Sequence, residues 1–301
     1  IISGKNITIT GTLNVDQNIT FSGCNIQMAT NAKINLTSGN LNLTGKTHIY
    51  SCTSLWDGIY VPAGRTITVS GNALIEDALN AVVSTGGGLF DINTAIFNKN
   101  LIGIDVRSHA SAHPGSVLNT VISSRVIPSF ASTASNQTVA NLKTGSTLAS
   151  FASTLIKSPY NDRKGCYGLN AEDVASINIG SSISAAFLNL FDGIQCGINL
   201  IRTNSLINNN KFQYLTGYTS SQIQCPSGLP GNPPPPCYVE AGYGIKAKGT
   251  YDTGTNSIYI GGIGNNQPNS FYNIFQAINI RAVVLPVLQN TNFCFSKEIV
   301  V

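Results

Sequence analysis

Charge is what this sequence has least of. Lysine, arginine, aspartate and glutamate make up 10 % of its 301 residues, against roughly 25 % in an average globular protein. Tryptophan and methionine occur once each, and histidine three times. No basic run exceeds two residues and the net charge is only +4. The concentrated cationic face that nucleic-acid binding needs is therefore missing, and no nucleic-acid partner is expected. No apolar run approaches the roughly 18 residues of a membrane-crossing helix, so no transmembrane segment is expected. The absence of any CxxC pair or Cys/His cluster argues against zinc. No Asp-Asp pair and no Gly-His-Gly triplet occurs. A polygalacturonase-type hydrolase, which uses paired aspartates to protonate the leaving oxygen and activate water, thus finds no counterpart.

What covers the surface instead is Asn, Ser, Thr and Gly. The 42 % of hydrophobic residues are spread evenly, so the composition is not that of a disordered chain. No leader precedes Ile1 and the chain opens directly on a strand pattern; a mature or trimmed product is expected, in which a missing leader says nothing about export.

One short pattern recurs: Gly or Ala, an aliphatic residue, any residue, then a small or aliphatic residue. It reads Gly58-Ile59-Tyr60-Val61, a weak copy Ala81-Val82-Val83-Ser84, Gly103-Ile104-Asp105-Val106, Gly168-Leu169-Asn170-Ala171, Gly197-Ile198-Asn199-Leu200, Gly244-Ile245-Lys246-Ala247 and Ala277-Ile278-Asn279-Ile280. Successive copies are 23, 22, 65, 29, 47 and 33 residues apart. The 65-residue gap is expected to hide one or two degenerate copies. A second pattern, aromatic residues interleaved with Asn or Asp, sits between copies: Phe90 to Phe97, Phe187 to Phe191, Phe271 to Phe275, and Gln289 to Phe293. Asn clusters accompany it at Asn98 and Asn100 and at Asn208, Asn209 and Asn210.

These are period-2 strands of three to five residues, separated by Gly- and Asn-rich turns. Only Ala73 to Val83 tempts a helical reading, and the repeat overrides it. Stacking such short strands in parallel, each on its equivalent one repeat away, lines up the inward aliphatics as columns and lets turn asparagines bond as ladders. The expected fold is all-β: a single-stranded right-handed parallel β-helix, a solenoid of pectate-lyase-like architecture, forming one domain over residues 1–301. Residues Ile7 to Leu43 alternate aliphatics with Asn, Thr and Ser and form the first turns of it. Asn6, Asn18, Asn35, Asn42 and Asn136 begin N-x-T triplets that match the glycosylation sequon, although four of them coincide with the alternating strand pattern.

Seven cysteines are present. Cys225 and Cys237 flank a Pro-rich stretch and are a candidate disulfide, stapling an excursion at about 216–242 that has no core of its own. Cys24 with Cys52, and Cys166 with Cys196, lie about one repeat apart and could stack as neighbours; the alternative is buried thiols packed as small apolar groups.

The stretch Cys52-Thr53-Ser54-Leu55-Trp56-Asp57-Gly58-Ile59-Tyr60-Val61, followed by Ile67-Thr68-Val69 and by Ala73-Leu74-Ile75-Glu76-Asp77-Ala78, carries a resemblance. It is similar to the β-helix segments of large secreted proteins of Bacteroidota, and Phe97-Asn98-Lys99-Asn100 and Gly103-Ile104-Asp105-Val106 continue the likeness. Close similarity spans about residues 50 to 110, with looser copies to about 295. The resemblance implies export across the outer membrane by the type IX secretion system and a place at the cell surface or in the medium. The carboxy-terminal sorting domain such proteins carry is not among these residues, which implies its removal or a longer parent protein.

The outward faces carry the candidate chemistry. If the repeat aliphatics point inward, the next residues form an outer row with Asp105, Asn170, Asn199, Lys246 and Asn279, and a second row holds Arg107, Glu172, Lys248 and Arg281. Asp105, Arg107 and His109 alternate on one strand. Such a polar strip suits hydrogen bonding along an extended polysaccharide; the plainer reading is a solvated sheet face with chance cross-strand ion pairs. A lyase would need clustered carboxylates for Ca²⁺ and a basic residue. Asp57, Glu76 and Asp77 are the nearest approach, but Glu76-Asp77 at a turn reads better as a cap on backbone amides. His48, His109 and His113 have no catalytic partner at a telling spacing. Trp56 reads as a packing residue at a corner rather than a sugar platform. Tyr214, Tyr218, Tyr238 and Tyr243 surround the Pro-rich excursion, which could wall a groove or cover an exposed core edge.

The expectation is a non-catalytic extracellular or cell-surface protein, in an adhesin, surface-layer or accessory-subunit role, with a polysaccharide or an outer-membrane or cell-surface protein complex as partner. The alternative is a polysaccharide-binding or polysaccharide-degrading protein, a lyase or glycosidase. No cofactor is expected; Ca²⁺ enters only under the lyase alternative.

Overall fold

A short strand with one aliphatic and one polar face cannot bury its aliphatics alone. The computed structural model solves this by parallel stacking. It describes residues 1–108, 113–118, 120–123, 137–142, 146–152, 155–157, 166–180, 188–213, 215, 242–249, 257–261, 269–272, 274, 276–281, 285–288, 291–294 and 298–300. Among these residues there are 33 β-strands and no helix. The strands form three sheets of eleven, and each strand pairs with the strand three places along the chain. Every pairing is parallel, beginning with Ile2↔Phe21, Ile7↔Ile26 and Leu13↔Ile34. The first sheet runs from Ile2–Ser3 to Leu285–Leu288, the second from Asn6–Ile9 to Thr291–Cys294, the third from Thr12–Val15 to Glu298–Val300. The protein is thus all-β, with parallel strands in stacked sheets, an arrangement compatible with a parallel β-helix.

The chain leaves one sheet for the next through tight turns. Asn31, Asn72, Asp77, Asp173 and Asn209 adopt positive φ values of 55 to 59° there. Among residues with a Cβ, Asn and Asp enter this left-handed region at least cost.

The recurring aliphatics occupy a single register position of the third sheet: Leu13, Ile34, Ile59, Val82, Ile104, Ala140, Leu169, Ile198, Ile245, Ile278 and Ile299. From Ile34 to Ile278, those with described side chains are at most 1 % exposed. Each such burial contributes roughly 1.5–3 kcal/mol. The long gap in the repeat holds one hidden copy in this sheet, the strand Gln137–Leu142, where Ala140 replaces the large aliphatic. The weak copy at Ala81 is a bulge: Gly58 pairs with Asn80 and Ile59 with Val82, leaving Ala81 as an extra residue.

The second sheet stacks Ile26, Ile49, Ile75, Phe97, Ile122, Ile156, Phe191, Phe212 and Phe271 in the same manner. The rings of Phe191 and Phe212, and of Phe212 and Phe271, lie 4.8 Å apart and nearly parallel. This stack explains the glycines of the repeat. A Cβ on Gly168, Gly197 or Gly244 would lie 2.9, 2.7 or 2.6 Å from the rings of Phe191, Phe212 and Phe271 respectively. Glycine and phenylalanine, read in the sequence as separate patterns, fill one space between them.

The expected stacking of cysteine pairs is corrected here. Asn25 pairs with His48 and Met28 with Ser51. Cys24 therefore lies beside Thr47, whose Oγ1 accepts from the Cys24 amide, and far from Cys52. Both are thiols, Cys24 buried and Cys52 exposed. Cys196 also remains a thiol, and it pairs with Tyr167, so Cys166 is one residue out of register. Cys225, Cys237 and all of the Pro-rich excursion except Gly242 lie outside the described residues.

Candidate binding face

The residue after each inward aliphatic belongs to the outer row, and the register is continuous: Asn14, Asn35, Tyr60, Val83, Asp105, Asn141, Asn170, Asn199, Lys246, Asn279 and Val300. Asp105, Asn170, Asn199, Lys246 and Asn279 thus fall in one row, at one strand spacing of about 4.8 Å per step. Glu172, Ile201, Lys248 and Arg281 form the second row. For Arg281 only the backbone position is described, and His109 lies outside the described residues.

The row is not an evenly open ribbon. Asn170, Asn199 and Lys246 are half-buried, whereas Asp105 and Asn279 are only 8 % and 4 % exposed. Asp105 is held by Arg107, whose Nε donates to Oδ2 at 3.3 Å. The Tyr60 ring has Lys33 Nζ and the Arg107 guanidinium each 5.7 Å from its centroid, so two cations occupy its neighbourhood. Burial raises the Tyr60 hydroxyl pKa, the Asp57 charge adds to the rise, and Arg107 opposes it. Asn199 Nδ2 donates to Asn170 Oδ1 at 2.6 Å, one step of an amide ladder along the row. At the edge of the sheet Arg202 clamps two carboxylates. Its Nε and Nη2 donate to Asp173, and Nη2 also reaches Glu172 Oε1 at 3.0 Å. These hydrogen bonds, led by those to Asp173, push the Arg202 pKa up.

The strand Tyr243–Lys248 differs in kind. Lys246 Nζ lies 4.9 Å from the Tyr243 ring centroid, and Lys248 is exposed. No carboxylate among the described residues forms an ion pair with either lysine.

On the second sheet a polar cluster surrounds Glu76. His48 Nε2 lies 2.9 Å from Glu76 Oε2, Asn98 Nδ2 donates to Oε1, and Lys99 Nζ is 3.4 Å from Oε1. Burial alone would raise this carboxyl, but the bonds from His48 and Asn98 and the Lys99 charge outweigh it and lower the pKa to about 2. The neighbouring Asp77 accepts weakly from the Ser51 amide at 3.4 Å, and burial raises its pKa. Asp77 thus caps an amide as its turn position suggested, whereas Glu76 binds side chains. Trp56 is fully buried, with Nε1 donating to the Glu76 carbonyl at 2.7 Å. Asp57, Glu76 and Asp77 do not assemble as a cation cage: among the described residues no three His, Cys, Asp or Glu side chains converge to hold a metal ion.

Sequence reasoning missed the His48–Glu76 pair, because 28 residues separate its members and only the register Leu74↔His48 brings them together. It also missed the fully buried ladder Asn189–Asn210–Asn269, in which Asn189 Nδ2 donates to Asn210 Oδ1 and Asn210 Nδ2 to Asn269 Oδ1, both at 2.9 Å. The Asn cluster at 208–210 was the available signal. Among the described residues no helix is long and apolar enough to cross a membrane. No family model, no curated protein and no solved structure matches this chain.

Proposed function

We propose that this chain is a right-handed parallel β-helix solenoid acting as a non-catalytic extracellular protein of the adhesin type, with the outer face of the third sheet as its binding surface for polysaccharide. The observation that carries the reading is the continuous outer row, in which Asn141, Asn170, Asn199, Lys246 and Asn279 occupy five successive strands at one register position. The half-buried Asn170, Asn199 and Lys246, polar side chains on three successive strands of that row, match an extended polyhydroxylated chain better than a compact substrate. Right-handedness is favoured because parallel crossover connections in one sheet take that hand in about 98 % of cases.

The non-catalytic part rests on where the carboxylates are spent. Asp105 is paired with Arg107, Glu172 and Asp173 with Arg202, and Glu76 with His48 and Lys99. For Glu76 these partners lower the pKa to about 2, which leaves it a poor proton donor at neutral pH. Cell-surface location and type IX export belong to this proposal and rest on the resemblance read in the sequence of residues 50 to 110.

The test is a glycan array with the full chain, in the presence of Ca²⁺ and of a chelator, followed by a depolymerisation assay on every ligand retained. Binding that is indifferent to Ca²⁺ and leaves the polymer intact is the expected result. Chain cleavage would overturn the non-catalytic reading, and failure to retain any glycan would overturn the binding surface.

A further inference from the structure

Among the described cations of the third sheet, Arg107 and Arg202 are ion-paired, whereas Lys33, Lys246 and Lys248 are not, and only Lys246 and Lys248 share a strand. Arg107 and Arg202 each have a carboxylate at 3.3 Å or less. Lys246 and Lys248 have none among the described residues, and both project from one strand, two residues apart, on the same face. Lys248 is exposed, and the backbone of Arg281 lies directly opposite it on the adjacent strand. Like charges at directly opposed positions of a sheet are destabilising. Glu172, in the same row, is two strands from Lys248 with Ile201 between them, and it is engaged by Arg202. Among the described residues, then, Lys246 and Lys248 form a pair of cations on one strand without an ion-paired carboxylate.

Its surroundings narrow what would supply the missing anion. Lys246 Nζ lies over the Tyr243 ring, 4.9 Å from its centroid, a contact that fixes its direction. Asn199 and Asn279 flank Lys246 on the two neighbouring strands. Lys246 is thus set between two amides at steps of about 4.8 Å, close to the length of one sugar unit in an extended chain, while Lys248 lies about 6.6 Å away along its own strand. Carboxylates would meet the lysines, and hydroxyls the half-buried Asn199.

We infer that Lys246 and Lys248 form a subsite for a uronate-bearing polysaccharide, whose carboxylates pair with the two lysines. The inference rests on the binding surface proposed above and narrows its ligand class to acidic glycans. The carbohydrate is favoured over nucleic acid or polyphosphate because the cationic patch is small and amide-flanked, without the extended basic face that phosphate polymers select.

The experiment measures binding of the full chain to polygalacturonate, to a neutral glucan and to inorganic polyphosphate, at about 50 mM and about 200 mM salt, where screening separates charge-driven from neutral contacts. Wild type is compared with Lys246→Gln/Lys248→Gln and with the charge-retaining Lys246→Arg/Lys248→Arg. Expected is retention of polygalacturonate that weakens with salt, falls by about tenfold or more in the glutamine variant and survives in the arginine variant. Thermal melting of each variant shows that the fold is intact, as expected for substitutions at an exposed and a half-buried lysine. Equal binding of the neutral glucan with no effect of the glutamine changes would overturn this subsite while leaving the polysaccharide-binding surface standing. Retention of polyphosphate as strongly as polygalacturonate would overturn the choice of sugar acid. No retention of any glycan would overturn both the subsite and the proposed function.

Discussion

His48 Nε2 and Glu76 Oε2 lie 2.9 Å apart although 28 residues separate them, because their strands are neighbours in the second sheet. The pair sets a pH dependence. Glu76 has a folded-state pKa of about 2 against an ordinary value of 4.5. An acid with a depressed pKa contributes stability above its unfolded value, and that contribution is lost as pH falls through the folded one. Stability should therefore decline between about pH 4.5 and pH 2, by on the order of 3 kcal/mol from this group. Urea unfolding at stepped pH measures it. Glu76→Gln should flatten the slope in that window and lower stability at pH 7.

Asp77 has the opposite sign. Burial raises its pKa, so the folded state favours the protonated form, and its contribution is lost as pH rises through the raised value. Asp77→Asn removes the desolvated charge and keeps a residue that tolerates the φ of 59° found here. Tm at pH 7 should rise by about 2 °C, while the difference from wild type disappears in acid. Asp77→Ala, which meets the same left-handed backbone without an acceptor for the Ser51 amide, should melt lower than wild type.

The glycine of the repeat and the phenylalanine of the neighbouring sheet should be energetically coupled. Gly197→Ala places a Cβ 2.7 Å from the Phe212 ring and 2.7 Å from the Gly244 carbonyl. Overpacking of this kind costs about 1–3 kcal/mol. Phe212→Leu, destabilising by itself, should recover part of the loss in the double variant, because it frees the ring side of the clash and leaves the carbonyl side. A double-mutant cycle from denaturant unfolding reads the coupling.

The two asparagine ladders should differ in weight. Asn210 is fully buried between Asn189 and Asn269, and it also donates to the carbonyls of Ile179 and Asn208. Asn210→Leu strands these partners away from water, and each orphaned polar group costs about 1–3 kcal/mol. Asn199→Ala, on the outer row, leaves its partner Asn170 half-exposed, and should cost less than about 1 kcal/mol. Unfolding free energies of the two variants decide it, and equal losses would contradict the assignment.

The proposed solenoid predicts an overall form. Sheets eleven strands deep, at about 4.8 Å per step, stack to a length of about 50 Å. Small-angle scattering should return an elongated particle whose long dimension is at least that; a compact isotropic particle would contradict the stacking.

Much of the order was legible because its cause is periodic and local. Gly58-Ile59, Gly103-Ile104, Gly168-Leu169, Gly197-Ile198 and Gly244-Ile245 repeat the same demand, an aliphatic facing inward, and equal demands stack at equal positions. The outer row of Asp105, Asn170, Asn199, Lys246 and Asn279 followed by alternation alone. The copy at Ala140 escaped notice because a small residue at an inward position carries little hydrophobic signal, and the bulge at Ala81 because one extra residue does not disturb composition.

What the chain determined by itself, then, is the alternation of inward and outward residues and the pairing of like with like. Only the tertiary arrangement decided which polar groups meet. His48 reaches Glu76, Arg202 reaches Asp173, and Gly197 leaves room for Phe212 through offsets that depend on the length of every intervening turn. Those lengths vary from one repeat to the next, so a lateral neighbour is fixed by the summed geometry of the stack and has no constant spacing in the sequence.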